Sequence, residues 1–237
     1  MADVPWVPVG MFVTAMVLAV VTRLRPHKPK PEIALLAQRL GLRYTARDYE
    51  IGELVAGLHP RGRFRRANDV VHGDFFGYPV TAFTYTSHEE GRDSERAHRN
   101  GYHHGYIWIT LPVELPRLDI DRGIPDVAGF ALGWTPVRTE SGEFNQRFNP
   151  RAADDRFAHA VLHPRMIEFL LARNPPDFRI VGNRVGFDRL GGGYSPAEIW
   201  WSVHFLREFV DLIPAFVRRD FAVQRPTVAD RAWPASS

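Results

Sequence analysis

The chain has 237 residues, 45% hydrophobic and 24% charged, a balance that places it among globular proteins and excludes disordered and collagen-like sequences. Its net charge of +3 is local: Arg23, Arg25, Lys28 and Lys30 supply the excess against Asp3, and the remainder is neutral, so a general affinity for nucleic-acid phosphates has no basis. Cysteine is absent, which excludes disulfides, thiolate metal sites and thiol nucleophiles.

Val4 to Thr22 carry no charge. As a helix this run is about 28 Å long at ~1.5 Å per residue, close to the ~30 Å hydrocarbon core of a bilayer. Pro5, Pro8 and Gly10 fall in its first turns, where proline costs least. Trp6 suits one interface, and Arg23, Arg25, Lys28 and Lys30 suit the other. The basic flank keeps the rest of the chain on the cytoplasmic side. A cleaved secretory signal is the rival reading, but the first residues carry Asp3 and no Lys or Arg. From Arg25 to Pro31, three prolines and no apolar side chain predict an extended linker, whose cations also suit anionic lipid headgroups.

The body opens with a helical pattern at Pro31 to Leu40, where Ile33, Leu36, Ala37 and Leu40 share one face and Gly41 stops it. A second short helix is expected at Ile51 to Leu58. From Phe64 the period changes to two. Val70 and Val71, a turn at Phe76 to Pro79, the run Val80 to Thr86, a polar loop from Ser87 to Asn100 and the run Tyr102 to Leu111 read as three antiparallel strands. Pro112 and Pro116 then separate off a short strand near Leu118 and Ile120.

Paired strands are expected at Trp134 to Arg138 and Glu143 to Phe148. Helices come next at Ala152 to Leu162 and Pro164 to Ala172, then a hairpin of Phe178 to Val181 with Val185 to Phe187 turned by Gly182-Asn183. Ser195-Pro196-Ala197-Glu198 is a capping box opening the longest helix, with Ile199, Val203, Leu206, Val210, Ile213 and Val217 as its stripe. Trp200, Trp201, Phe205, Phe209 and Phe216 widen that stripe, which suits a core helix and also a helix resting on a bilayer. The chain therefore reads as a transmembrane anchor (1–24), a basic linker (25–31), an α+β cytoplasmic domain of antiparallel sheet and packed helices (32–221), and a disordered tail (222–237).

Chemistry-bearing groups are few. His88, His98, His103 and His104, with Glu89, Glu90 and Asp93, form the one candidate metal set, yet His103 and His104 point to opposite faces of a strand and no H-x-H or H-E-x-x-H spacing occurs. Asp119-Ile120-Asp121 begins like a calcium loop but lacks the later ligands and reads as a turn. Gly191-Gly192-Gly193 lacks a P-loop lysine and reads as a flexible joint before the capped helix. Arg61, Arg63, Arg65 and Arg66 suit a headgroup or partner contact, or a charged sheet edge that resists aggregation.

Three segments carry a resemblance: Phe144-Asn145-Gln146-Arg147-Phe148, Asp155 to Ala158 through Val161 to Met166, and Leu212-Ile213-Pro214-Ala215-Phe216-Val217. They resemble actinobacterial single-pass membrane-anchored proteins of unknown function, over most of residues 33–220 and including the N-terminal anchor and the strand pair near Gly73 to Phe83. The resemblance implies membrane attachment and assigns no activity. The expected function is a membrane-anchored cytoplasmic binding or scaffolding module with no cofactor. Its partners are the bilayer through residues 4–22, anionic lipid and an unidentified protein, not nucleic acid. The alternative is a membrane-surface enzyme, a metal-dependent hydrolase using the histidine-rich 88–104 region.

Overall fold

The computed structural model describes residues 29–56, 63–88, 102–122 and 134–223. The apolar run 4–22, its flanks Trp6, Arg23, Arg25 and Lys28, the cation Arg61, His98 and residues 224–237 lie outside them. Among the described residues no helix is long and apolar enough to cross a membrane.

The elements in chain order are α1 (Pro31–Arg39), β1 (Arg43–Asp48), α2 (Tyr49–Ala56), β2 (Arg63–Phe75), β3 (Tyr78–His88), β4 (Tyr102–Asp121), β5 (Thr135–Pro136), α3 (Gly142–Arg147), β6 (Asn149–Ala152), α4 (Asp155–Val161), α5 (Pro164–Arg173), β7 (Phe178–Leu190), α6 (Pro196–Leu212) and α7 (Ala215–Asp220). The expected α+β class holds: a seven-stranded sheet with antiparallel pairings carries the helices. β1, β2, β3 and β4 are neighbours in sequence order. Ile107 of β4 pairs with Ala82 of β3 and with Phe187 of β7, and Leu118 pairs with Ala152 of β6 and with Ile180 of β7. β7 therefore runs along one edge of β4, while β3 and β6 share the other.

Both sheet faces are covered. Ile107 and Ile109 enter the main core with α1 and α4 to α7, whereas Tyr106 and Trp108 join Phe83, Tyr85, Val70 and Val55 on the opposite face. Strand alternation thus separates aliphatic from aromatic residues within one run. α5 and α6 are tied by His163, whose Nδ1 accepts from the Met166 amide and whose Nε2 lies 3.1 Å from the Leu212 carbonyl oxygen.

The structure adds one strand and corrects several expectations. β1 is a strand with no sequence signature, because its residues are half-buried and charged and show no apolar alternation. Glu143 to Arg147 is helical, with Phe148 extended at its C-terminal cap: the Ser141 hydroxyl accepts from the Phe144 amide at 3.2 Å, and Phe144 and Phe148, both buried, meet with ring centroids 5.1 Å apart. A spacing of four brings side chains together on a helix and separates them on a strand. Phe178 to Leu190 is a single strand whose two halves both pair with β4, so Gly182-Asn183 is a corner and not a hairpin turn. Asp119 and Asp121 lie within β4 and not in a turn, each bound to an arginine. The long last helix also divides, since Pro214 comes after the end of α6 and α7 begins at Ala215.

A candidate ligand-binding pocket

The site originates in a bend. Phe178 and Phe187 are nine residues apart on β7, which would separate them by about 30 Å in a straight strand, yet their rings lie 5.8 Å apart. The pairing of β4 with β7 shifts register between Thr110 and Leu118, around Pro112 and Pro116, and Gly182 opposite Leu115 adopts φ +57°. Left-handed backbone at that corner is open to glycine without steric cost. The β4–β7 ribbon therefore folds back, bringing its two ends together against α6.

Where the ends meet there is a cavity of about 760 Å³. Phe187, Trp201, Tyr194, Pro176 and Ala197 supply apolar wall, and Arg122, Asp177, Asp188, Arg189, Glu198 and Ser202 supply polar groups. The segment Gly191 to Tyr194 positions the rim. It is not the flexible joint expected from three glycines: the Gly191 amide donates to the His103 carbonyl at 2.8 Å, and a β-carbon at Gly193 would lie 2.0 Å from Thr84 Oγ1. Glycine is there because the loop lies directly on β3 and β4. The capping box then starts α6 as the sequence predicts, with Glu198 Oε2 accepting from the Ser195 amide at 2.7 Å and the Ser195 hydroxyl accepting from the Glu198 amide at 3.3 Å.

The charges of this site are largely matched. Arg189 binds Glu198 at 2.5 Å and stacks over Tyr194 at 4.5 Å. The Arg189 hydrogen bond, against partial burial and with help from the Ser195 amide, holds the Glu198 carboxyl down at about 2. Burial, with Asp188 and Glu198 nearby, raises the Tyr194 phenol far above its ordinary value. Asp188 meets Arg179 at 3.0 Å, and Arg179 reaches Asp119 at 3.7 Å. Burial alone would lower the Arg179 guanidinium, but Asp188 and Asp119 outweigh it and raise it. Asp177 Oδ1 accepts from the Arg122 amide at 2.7 Å.

The fold has a solved counterpart. The crystal structure of the mycobacterial trehalose monomycolate transport factor A, TtfA, matches with a TM-score of 0.54 at 14% identity, covering 77% of this chain and 92% of that one. No family model and no curated protein matches the chain. At this identity the likeness to TtfA shows the fold alone. It does place an actinobacterial protein beside this one, in keeping with the resemblance carried by Phe144 to Phe148 and the segments after it.

Among the described residues, the candidate site residues His103, His104, Arg65, Arg66 and Lys30 are not part of the pocket lining. His103 is exposed on β4, and His104, one position on, is fully buried on the opposite face; for His88 only the backbone is described. Among the described residues no three His, Asp or Glu side chains gather to hold a metal. Arg65 lies 4.0 Å from Glu53 of α2, and α2 packs on β2, so the stretch around Arg63, Arg65 and Arg66 is a covered strand and not a free edge. Lys30 is held by the body: its amide donates to Tyr44 and Asp69, and its ammonium lies 3.7 Å from Asp69. The pocket residues escape sequence reading because Arg122, Phe187 and Trp201 converge only through the ribbon's bend.

His104 yields a pH prediction. Burial, then the charge of Arg179, lowers its imidazole from 6.5 to about 4. Between those values the unfolded chain takes the proton and the folded chain does not. The contribution of His104 is thus complete above pH 6.5 and declines as pH falls toward 4, by about 1.4 kcal/mol per unit inside the window. Urea titrations at pH 7 and pH 5 should differ by about 2 kcal/mol from this group, and His104→Gln should flatten that slope; an unchanged slope in the variant would assign the pH effect elsewhere.

Proposed function

We propose that the protein is a binding module, anchored to the membrane by residues 4–22 with its body on the cytoplasmic side, whose pocket between β7 and α6 takes one small amphiphilic ligand. The observation that carries this reading is the pocket itself. Its volume lies within the range of ligand sites, its walls are aromatic and aliphatic, and its rim ions are paired with one another. Such a site offers apolar burial for a tail and hydrogen bonding for a head without leaving buried charges unpaired. TtfA is named as a transport factor for trehalose monomycolate; handling an amphiphile is an activity of the same kind. The hydrolase alternative gains no support from His103 and His104, which face opposite sides of β4.

Two measurements test the proposal. After carbonate washing, the chain should remain in the membrane pellet with residues 4–22 intact; release of a protein beginning near Val20 would refute the anchor. For the pocket, the full chain in lipid nanodiscs is titrated with a short-chain alkyl glucoside below its micelle threshold and followed by saturation-transfer NMR. Ala197→Trp places a large ring at the mouth from the exposed first turn of α6, and affinity should fall on the order of tenfold or more, equivalent to ~1.4 kcal/mol. Equal binding by the variant would remove the pocket as the site.

A further inference from the structure

A second surface of α6, outside the pocket, carries an exposed aromatic strip that the core does not account for. The β2–β3 hairpin turns at Phe76-Gly77, where both residues have positive φ, +53° and +89°. Asparagine, aspartate or glycine occupy such turns without strain, whereas a bulky aromatic there is an outlier. Phe76 is nonetheless 68% exposed. From it a continuous row of rings and cations runs along α6. The Arg207 guanidinium lies 4.4 Å over the Phe76 ring, Phe75 meets Phe76 at 4.8 Å and His204 at 5.0 Å, and His204 meets Trp200 at 4.2 Å. Trp200 is 50% exposed. Two carboxylates lie beside the row: Asp211, 3.4 Å from Arg207, and Asp74, which accepts from the Gly77 amide at 2.8 Å.

We propose that this strip, Phe76 with Trp200, His204 and Arg207, is the edge on which the body rests against the bilayer. The proposal rests on the reading of residues 4–22 as an anchor. The chain between Thr22 and Lys30 is seven residues, so the eight steps from one to the other span at most about 29 Å when extended, and Lys30 is fixed to the body through Asp69 and Tyr44. A body tethered so closely must turn some face to the membrane. α1, which begins at that root, packs against α6, so α1 and the strip both lie on the helix-covered face of the sheet. Its composition also suits the place: tryptophan and phenylalanine partition to the headgroup boundary, and an arginine among them keeps its stem in apolar surroundings and its charge at the phosphates. The strain at Phe76 is then explained, because the turn presents a ring that a glycine or asparagine would not.

Because the chain contains no cysteine, single cysteines report position without further substitution. Phe76→Cys and, as a control on exposed α3, Glu143→Cys are each given one fluorescent label in the full chain reconstituted into vesicles containing anionic lipid. Lipids with a quencher high on the acyl chain should remove most of the emission at position 76 and leave that at position 143. Adding Trp200→Ser, a change at an exposed site that leaves the fold intact, should restore much of the emission at 76. Weak lipid quenching at both positions, with iodide reaching the label at 76, would overturn the proposal, as would protection of 76 from both quenchers, which would mean that a protein covers the strip. Carbonate washing separates the two readings: a chain that washes off, yet is lipid-quenched at 76 beforehand, retains the strip and loses the anchor.

Discussion

Phe205→Ala should lower the unfolding free energy by about 3–5 kcal/mol, the range for removing a buried phenylalanine and leaving its cavity. Phe205 is 2% exposed on the inner side of α6. Its ring lies 5.3 Å from Phe178 and 5.5 Å from Phe187, which come from the two ends of β7. It also stacks on Phe169 of α5 at 5.2 Å and on Trp201 at 5.1 Å. The side chain thus fills the space across which the ribbon folds back, and aromatic neighbours that prefer edge-on or offset contact cannot collapse into that gap without changing their geometry. Trp201 and Phe187 are also pocket walls, so ligand affinity should fall in the same variant. Trp200→Ser, on the exposed side of the same helix, should stay within about 0.5 kcal/mol of the parent. Urea titration of both variants gives the comparison, and a loss below about 1 kcal/mol for Phe205→Ala would show that the ribbon is held closed by something else.

What the sequence makes legible is what depends on local chemistry. The capping box at Ser195, Pro164 at the head of α5 and the stop at Gly41 are backbone preferences satisfied within a few residues, and each is readable. Tyr102 to Leu111 is readable as a strand because its aromatic and β-branched run is bounded by a polar loop and by Pro112. The errors arise where a partner decides. Leu118 and Ile120 continue β4 past Pro112 and Pro116 because β7 runs alongside and the irregular register absorbs the prolines. β1 forms because β2 offers an edge, not because its charged residues favour a strand. Arg117, Asp119 and Asp121 are the polar half of an alternating strand, which local pattern reads as a turn at Asp119-Ile120-Asp121; β6 and β7 on either side and Trp134 above Arg117 cover it. The pocket is illegible for the same reason, since no local pattern encodes a bend that joins residues 122, 187 and 201.

That buried polar face sets the other large expected effect: Arg117→Met should cost about 3–5 kcal/mol, because it strands a carboxylate that the fold has removed from water. Arg117 is 1% exposed and binds Asp119 through two bonds, 2.7 Å from Nε and 3.0 Å from Nη2, while its guanidinium stacks 3.9 Å from Trp134. Asp119 stands in register between Arg151 on β6 and Arg179 on β7, and Arg151 also binds Asp121. Three arginines and the aspartates 119, 121 and 188 therefore balance charge across three strands and hold the end of the ribbon beneath the pocket. Burial, then Asp119, raises the Asp121 carboxyl despite Arg151, so the desolvation cost is not fully recovered. Removing both members of the central pair separates the value of the ion pair from the penalty of breaking it. Arg117→Met with Asp119→Leu should recover much of the single-variant loss, since Arg179 keeps Asp188 at 3.0 Å, giving a coupling of about 2 kcal/mol or more in a double-mutant cycle. Salt should change that coupling little, because buried pairs are weakly screened. Additive single and double variants would mean that Arg117 acts through its packing on Trp134 rather than through its charge.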